Sequence, residues 1–357
     1  MITKKILTIS SLSLLLIILS PGLTNALTPI TITNTVHANG RIADFATKGK
    51  FLFTANTDLN QIQVMDTTHP TAPLIVQSIN TIGYFPTSEY VKGNYLFVAE
   101  QGQTWTQNGI TSLQGNYLEI FKINTLSTTN QYLTSVGSIA SVGAQPNNVI
   151  VSGNYAYLSD LSGGIVEIIN ISNPTSPQNV GQINVTFTSS MAISGQYLYI
   201  LSDGPSGSLL NVFSIATRSK PNLVASYSLI SNPNQIVING NYAYIAGQGP
   251  FENQIQVFDI TNPTSPILSD TITPSTNLYL DTYRMEFVGH YMFISTLNYY
   301  NHEILTYDLN NSPTQPQLIQ TFTTISTPYA LEEVGSYLYS AEAFGAGNNI
   351  EILSITK

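Results

Sequence analysis

Hydrophobic and polar residues alternate in short runs along most of the chain, and Gly, Asn, Asp or Pro bounds each run. The run at 148–151 is followed by a Gly-Asn turn, by an aromatic alternating run, and by another run at 165–171. Alternation with a period of two predicts half-buried β-strands, and Gly-Asn turns between such runs predict hairpins. After the first segment no stretch repeats with a helical period, so the pattern predicts a nearly all-β domain.

One sequence motif, a turn glycine followed by a strand-like run of alternating aromatic residues, occurs seven times. The copies begin at Gly49, Gly93, Gly153, Gly195, Gly240, Gly289 and Gly335. Their spacings are 44, 60, 42, 45, 49 and 46 residues, and a four-stranded propeller blade takes roughly 40 to 50 residues. The sequence therefore predicts an all-β fold over 27–357, a seven-bladed β-propeller of four-stranded antiparallel blades. The longest spacing predicts a loop insertion at 101–116 in the second blade.

The two ends of the chain are predicted to share one blade. The seventh unit contains three strand-like runs, the last around 349–356, and then the chain stops. Residues 28–36 alternate like an outer strand but belong to no other unit. We expect this N-terminal strand to complete the last blade, because ring closure satisfies an otherwise open strand edge.

A second phrase follows the aromatic strand and carries a family resemblance. It reads Ile-Gln-Val-Met-Asp-Thr-Thr-His-Pro-Thr-Ala-Pro in the first unit. Three copies begin at Ile62, Val166 and Ile255, and a fourth, looser copy begins at Leu305. They resemble the LVIVD repeat of bacterial and archaeal secreted or cell-surface propellers, whereas the units around Leu118, Leu210 and Ile350 depart from the pattern. The resemblance implies the propeller fold and no particular activity, because these repeats are structural phrases.

Residues 1–26 have the layout of a secretory signal peptide. Lys4 and Lys5 precede an apolar run at 6–20, and a Pro-Gly breaker with small residues follows. This run of 15 residues is interrupted by Thr and Ser, and a membrane span needs about 20 apolar residues. We expect a secreted protein, extracellular or at the cell surface, with no membrane span in the mature chain. Cleavage of the segment stays open, as does glycosylation of Asn170, Asn184 and Asn310.

Charge and cysteine content limit the kinds of partner that the protein can have. The chain has 357 residues, no Cys, 11 Lys and Arg against 20 Asp and Glu, and a net charge of −9. So few cations leave no basic surface that could neutralise the phosphates of a nucleic acid. Without disulfides, stability must come from packing. We expect a monomer whose partner is a cell-surface glycan or protein.

Topology predicts where a ligand would bind. In an antiparallel blade, the loop between the second and third strands lies on the same face as the start of the innermost strand. These loops surround one mouth of the central channel, and aromatic side chains on them suit sugar rings or peptides. The candidate ligand-binding residues there are Trp105, Phe251, Tyr299, Tyr300, His302 and Phe344. The alternative is a set of ordinary solvated turns with aromatic rings folded against the blade edges.

Two arginines form a second candidate ligand-binding set. Arg41 and Arg284 precede the innermost strands of the first and sixth units, near the predicted channel mouth. Guanidinium groups hold anionic ligands with paired hydrogen bonds. The alternative is that they neutralise Asp44 and Asp281.

Carboxyl groups offer two further chemistries. Glu286 and Glu332 hold matching places before the turn glycine in adjacent units, and a glycosidase requires a pair about 5 to 9 Å apart. Calcium is the one cofactor left open, because oxygens in tight loops suit it. The candidate calcium ligands are Asp58, Asp160 and Asp203. No His or Cys pattern for a transition metal is present in the sequence.

The sequence thus favours a non-catalytic module that binds or scaffolds at the cell surface. The first alternative is an extracellular polysaccharide hydrolase or lyase that uses carboxylates at the channel mouth. The second is a purely structural component of a surface layer.

Overall fold

The structure is a computed structural model that describes residues 30–107, 110–143, 145–205, 207–229, 232–248, 254–274, 281–297, 302–343 and 348–356. Within these residues, seven four-stranded antiparallel sheets form the blades of a propeller, and a separate two-stranded hairpin accompanies the second blade. The predicted all-β, seven-bladed architecture is confirmed. In the described part of the chain, no helix has the length and apolar character to cross a membrane.

The strands are numbered in chain order, and the blades are numbered in the order in which their innermost strands occur along the chain. The first strand is β1 (Ile30–His37). Blade 1 contains β2 (Ile42–Lys48), β3 (Phe51–Asn56), β4 (Gln61–Asp66) and β5 (Leu74–Asn80). Blade 2 and its hairpin contain β6 (Pro86–Lys92), β7 (Tyr95–Glu100), β8 (Gln103–Gln107), β9 (Ile110–Gln114), β10 (Tyr117–Ile123) and β11 (Leu133–Ala140). Blade 3 contains β12 (Pro146–Ser152), β13 (Tyr155–Asp160), β14 (Ile165–Asn170) and β15 (Gln178–Asn184).

The remaining blades repeat the same order. Blade 4 contains β16 (Thr188–Ser194), β17 (Tyr197–Ser202), β18 (Leu209–Ser214) and β19 (Asn222–Ser228). Blade 5 contains β20 (Asn232–Asn239), β21 (Tyr242–Gln248), β22 (Gln254–Asp259) and β23 (Ile267–Ile272). Blade 6 contains β24 (Asp281–Val288), β25 (Tyr291–Leu297), β26 (Glu303–Asp308) and β27 (Gln317–Thr323). Blade 7 contains β28 (Thr327–Val334), β29 (Tyr337–Ala343) and β30 (Asn349–Ile355).

Strand β1 completes blade 7. The strand order of this blade is β1-β30-β29-β28, and β1 pairs with β30 from Ile30 opposite Ile355 to His37 opposite Asn349. The Gln320 side chain of blade 6 also bonds the backbone amide and carbonyl of Ile30, at 2.9 and 2.8 Å. The predicted ring closure by the N-terminal strand is therefore confirmed, and this strand is tied to two blades.

The hydrophobic core lies between the blades. Seven clusters of buried side chains fill the seven interfaces between neighbouring blades. Phe53 and Val98, for example, belong to the cluster between blades 1 and 2. Ile30 of β1 belongs to the cluster between blades 6 and 7. Because each face of a blade packs on its neighbour, no blade buries its apolar residues alone.

Each innermost strand carries a β-bulge near its start, and the bulge decides which side chains reach the channel. The register shifts fall at Ile42/Phe45, Pro86/Ser88, Pro146/Asn148, Thr188/Ser190, Pro233/Gln235, Thr282/Arg284 and Pro328/Ala330. A bulge inserts an extra residue and re-aims the side chains next to it.

The loops between second and third strands lie beside the starts of the innermost strands. The amide of Thr57 donates to the carbonyl of Arg41 at 2.9 Å, and the amide of Leu161 donates to the carbonyl of Gln145 at 2.9 Å. These bonds place the loops at the channel mouth that the topology indicates.

Candidate functional site

Six polar side chains at one equivalent position line the central channel. Each follows the bulge of its innermost strand. The six residues are Asp44, Ser88, Asn148, Ser190, Gln235 and Arg284. Blade 7 has Ala330 at this position. With their neighbours, the six residues surround a cavity of about 220 Å³ in the half of the channel nearest the strand starts.

The same side chains hold adjacent blades together. Asp44 Oδ2 accepts a 2.8 Å hydrogen bond from the amide of Glu89, one blade further on. Gln235 Oε1 accepts a 2.5 Å bond from the amide of Met285 in the same way. Further bonds of this kind join Ser88 to Val149 at 3.4 Å and Ser190 to Ile236 at 3.3 Å. The channel ring is therefore part of the framework that joins the blades.

Three residues that line the cavity carry buried polar atoms without a hydrogen-bond partner among the described residues. These atoms are both carboxyl oxygens of Glu89, Oδ1 of Asn148 and Oγ of Ser189. A buried polar group without a partner costs about 1–3 kcal/mol. Such atoms at a cavity wall point to a bound molecule, either water or a ligand.

Glu89 departs from the pattern of the other blades. Its side chain is only 6% exposed. At the equivalent position the six other blades bury Phe45, Val149, Met191, Ile236, Met285 and Leu331. Sequence reasoning missed Glu89, although aligning the seven innermost strands would have shown one glutamate in an otherwise apolar column. A carboxyl group at a site that packs well with apolar residues suggests a role other than stability.

Electrostatics favour the neutral form of Glu89. Burial raises the pKa of this carboxyl well above its usual range, and the neighbouring carboxyls of Asp44 and Glu332 raise it further. Burial also raises the pKa of Asp44, while the Arg284 guanidinium and the amides of Glu89 and Phe45 act to lower it. The cavity therefore combines a carboxyl beside a guanidinium with a second carboxyl that lies next to the carboxyls of Asp44 and Glu332.

Glu286 and Glu332 come close together, as a catalytic pair requires. Burial raises the pKa of Glu332 to about 8. Burial, followed by the charge of Glu332, raises the pKa of Glu286 well above its usual range. The Thr47 hydroxyl donates to Glu332 Oε1 at 2.8 Å. Neither glutamate lines the cavity that the described residues form.

Arg41 is held at the channel mouth by the loop of blade 1. Its Nε lies 3.8 Å from Asp58 Oδ1 and donates to Thr57 Oγ1 at 3.1 Å. The backbone amide of Arg41 donates to Asp58 Oδ2 at 2.8 Å. Arg41 and Asp58, predicted separately as anion-binding and calcium-binding residues, are thus partners. Arg284 lies instead in the cavity beside Asp44.

The other two calcium candidates stabilise turns. Asp160 accepts bonds from the amides of Gln145 at 2.5 Å and Ser162 at 3.0 Å. Asp203 Oδ1 accepts bonds at 2.9 Å from its neighbouring glycine amide and from the Ser208 hydroxyl. Both carboxylates therefore hold the turns in which they lie. Among the described residues, no three acidic or histidine side chains converge as metal ligands.

Most of the aromatic candidates lie outside the part of the chain that the structure describes. These are Phe251, Tyr299, Tyr300, Phe344 and the side chain of Trp105. The side chain of Asp281, the predicted partner of Arg284, also lies outside the described part. The backbone of Trp105 is in β8, within the predicted insertion. His302 is described, and its Nδ1 lies 3.1 Å from the Thr327 hydroxyl at the start of β28.

Two segments of the chain match the LVIVD repeat, at residues 144–185 and 230–273. They contain the strands of blades 3 and 5. No curated protein matches the sequence.

Solved structures share the architecture at low sequence identity. Hydrazine synthase of Kuenenia stuttgartiensis matches with a TM-score of 0.66 and 15% identity, over 89% of this chain and 97% of that one. The periplasmic gluconolactonase of Pseudomonas aeruginosa gives 0.66 and 14%, over 87% and 88%. A protein from Lactobacillus plantarum gives 0.65 and 12%, over 90% and 94%. At such identities the likeness extends to the fold and not to the chemistry.

Proposed function

The chain is a seven-bladed β-propeller with LVIVD repeats, consistent with the LVIVD-repeat propellers, and on that premise we propose that it is a non-catalytic binding module. Its ligand is rich in hydroxyl groups, as a glycan end is. The ligand enters the central channel from the mouth that the loops between second and third strands surround. The module works outside the cell.

The observation that carries this proposal is the set of partnerless polar atoms at the cavity wall. Carboxyl and amide oxygens accept hydrogen bonds, and the oxygens of Glu89 and Asn148 are of these kinds. A ligand with several hydroxyl groups supplies the missing donors. The remaining wall, with Ser88, Ser190 and Gln235, suits the same chemistry, because a few convergent polar groups orient a ligand in its pocket.

The size of the cavity limits what it can hold. About 220 Å³ is somewhat below the roughly 300 Å³ at which pockets for small molecules usually begin. One sugar ring at the end of a chain fits this space better than a continuous stretch of polysaccharide. A longer glycan would extend over the loop face, where Trp105 and the other aromatic candidates are predicted to contact it.

The extracellular location rests on the sequence. The signal-peptide layout at 1–26 lies outside the described residues and supports export through its basic start and short apolar run. The net charge of −9 and the absence of Cys suit a soluble protein that is stable without disulfides.

A second candidate function has one observation in its favour. Glu286 and Glu332 are close neighbours in adjacent blades, as expected for a polysaccharide hydrolase or lyase. Their position away from the cavity lining favours the binding module. A purely structural surface protein would have no need of a glutamate in the apolar column at Glu89.

The test is a glycan array and calorimetry with the purified protein and two variants. Asn148→Ala removes a lining acceptor, and the matched control Asn184→Ala changes an exposed residue of β15. We expect the first variant to weaken ligand binding about tenfold or more and the control to bind like the wild type. No binding of any hydroxyl-rich compound by the wild type would refute the proposal, and turnover of a bound glycan would favour the enzyme.

A further inference from the structure

Glu89 identifies the kind of group that the cavity prefers. Its carboxyl lines the cavity, is more than nine-tenths buried, and has no hydrogen-bond partner on either oxygen among the described residues. Uncharged hydroxyl groups would satisfy the oxygens but would leave Glu89 in its neutral form, whereas a cation would stabilise its ionised form. A buried carboxyl is stable in its ionised form only beside a positive charge.

The charges that face Glu89 are mostly acidic. Asp44 of blade 1 and Glu332 of blade 7 act on it directly. Glu286 and Glu333 interact with each other, and both also interact with Glu332. Arg284 lines the same cavity and interacts with Asp44. One additional positive charge in the cavity would therefore improve the balance around Glu89.

The number of ligand groups at the site favours an ammonium group over a metal ion. No three acidic or histidine side chains of the described residues converge on a point, whereas calcium takes six to eight oxygen ligands. An ammonium group has three donor hydrogens and needs only a few acceptors around it. The two oxygens of Glu89 are such acceptors, and Oδ1 of Asn148 is another on the cavity wall.

We propose that the cavity binds an amino sugar whose free ammonium group is seated on the carboxyl of Glu89. The sugar hydroxyl groups then bond the amides and hydroxyls of the channel ring. This inference rests on the proposed function, because it names the ligand class for the same cavity. It explains why a single blade places a glutamate where the others bury an apolar side chain.

Proton release accompanies binding in this scheme. Without a ligand, burial and the carboxyls of Asp44 and Glu332 keep Glu89 protonated, while Arg284 is engaged with Asp44. The arriving ammonium group stabilises the ionised carboxyl, which gives its proton to solvent. Affinity therefore rises with pH until the amine itself begins to lose its proton.

The experiment compares three probes by calorimetry: glucosamine, N-acetylglucosamine and glucose. We expect glucosamine to bind about tenfold or more tightly than the other two, which lack the ammonium group. Titrations in two buffers of different ionisation enthalpy should reveal release of about one proton per glucosamine bound.

Two variants of Glu89 and one matched control make the test specific. Glu89→Gln keeps the shape and should abolish the preference for glucosamine and the proton release. Glu89→Leu introduces the residue that blade 7 has at this position; it should also abolish the preference while raising the melting temperature. The control Glu351→Gln changes another buried carboxyl with a partnerless oxygen, outside the cavity lining, and should keep the preference.

The possible results separate this inference from the proposed function. Equal affinity for all three sugars would overturn the ammonium site and leave the binding module standing. An unchanged preference for glucosamine in Glu89→Gln would also overturn it. Failure of all three sugars and of the glycan array would refute both.

Discussion

The phenolic hydroxyl of Tyr244 in blade 5 donates a 2.6 Å hydrogen bond to the carbonyl oxygen of Pro313 in blade 6. The same bond joins Tyr157 in blade 3 to Arg218 in blade 4 at 2.9 Å, and Tyr339 in blade 7 to Pro70 in blade 1. In each case the second strand of one blade is linked to the turn after the third strand of the next. Alternate interfaces of the ring therefore share one polar link.

Removing this link should destabilise the propeller by a measurable amount. Tyr244→Phe deletes the hydroxyl and leaves the Pro313 carbonyl without its donor, so we expect a loss of about 1 kcal/mol in the free energy of unfolding. Tyr199 provides the control, because it holds the same position in blade 4 and its buried hydroxyl has no partner among the described residues. Tyr199→Phe should be neutral or slightly stabilising. Urea denaturation of both variants measures the difference, and equal losses would contradict the assigned role.

Stability should fall as the pH rises from about 5 to about 8. Burial raises the pKa of Glu342 to about 8 and that of Glu351 to about 7. The two carboxyl groups therefore bind protons more tightly in the folded state than in the unfolded state. The stabilisation that this provides is complete at a pH below their pKa in the unfolded state, and it is lost as the pH rises through their pKa values in the folded state. Differential scanning calorimetry across this range should show a melting temperature that is several degrees lower at the alkaline end.

Two variants test the origin of this pH dependence. Glu342→Gln should reduce the slope of melting temperature against pH. Asp66 is hydrogen-bonded to Thr68 and Lys50, and its pKa is lowered to about 2, so it is ionised in both states across the tested range. Asp66→Asn should lower the melting temperature equally at both ends and leave the slope unchanged. An unchanged slope in Glu342→Gln would show that the dependence arises elsewhere.

Ring closure can be tested by substitutions in β1 and by deletion of the strand. Ile30 is fully buried in the cluster between blades 6 and 7, whereas Ile32 on the same strand is 49% exposed. Ile30→Ala should cost about 2–4 kcal/mol through the cavity it leaves, and Ile32→Ala should cost about 0.5 kcal/mol or less. Thermal unfolding measures both, and deletion of residues 27–37 should lower the melting temperature more than either. A melting temperature unaffected by the deletion would contradict the closure.

A glycine at the start of blade 3 is predicted to tolerate no side chain. A Cβ on Gly143 would lie 2.2 Å from Oδ2 of Asp160, the atom that accepts the Gln145 amide. Gly143→Ala should therefore displace this carboxylate and cost about 2 kcal/mol. Gly181 is the control, because its Cβ would meet nothing closer than 3.8 Å. Comparable unfolding curves for the two alanine variants would show that the Asp160 contact is unimportant.

The fold could be predicted because its information is local and repeated. The turn glycine and aromatic strand recur in each unit, so seven glycines such as Gly93 and Gly153 give the number of blades. The closing strand followed from counting strands in the last unit. Each of these steps required only the order of residues along the chain.

The candidate site was less predictable because it depends on register and on contacts between blades. The register shift between Pro86 and Ser88 determines where the side chains of β6 point. The composition of the strand does not indicate such a bulge. Read along the chain, Glu89 is one more polar residue of an alternating strand. The pairing of Arg41 with Asp58 likewise depends on the path of a loop, which the sequence does not specify.

The location of β1 in blade 7 affects the order in which the propeller folds. The hydroxyl of Ser354 donates a hydrogen bond to the carbonyl of Thr31 across a separation of 323 residues, so blade 7 combines strands that are far apart in the sequence. Synthesis proceeds from the N-terminus, and contacts this distant in sequence form slowly. Individual blades can fold as they are made, but β1 stays without its partner until β30 has been made. Closure of the ring is therefore a late step in folding, and a molecule with an unpaired β1 is still incompletely folded.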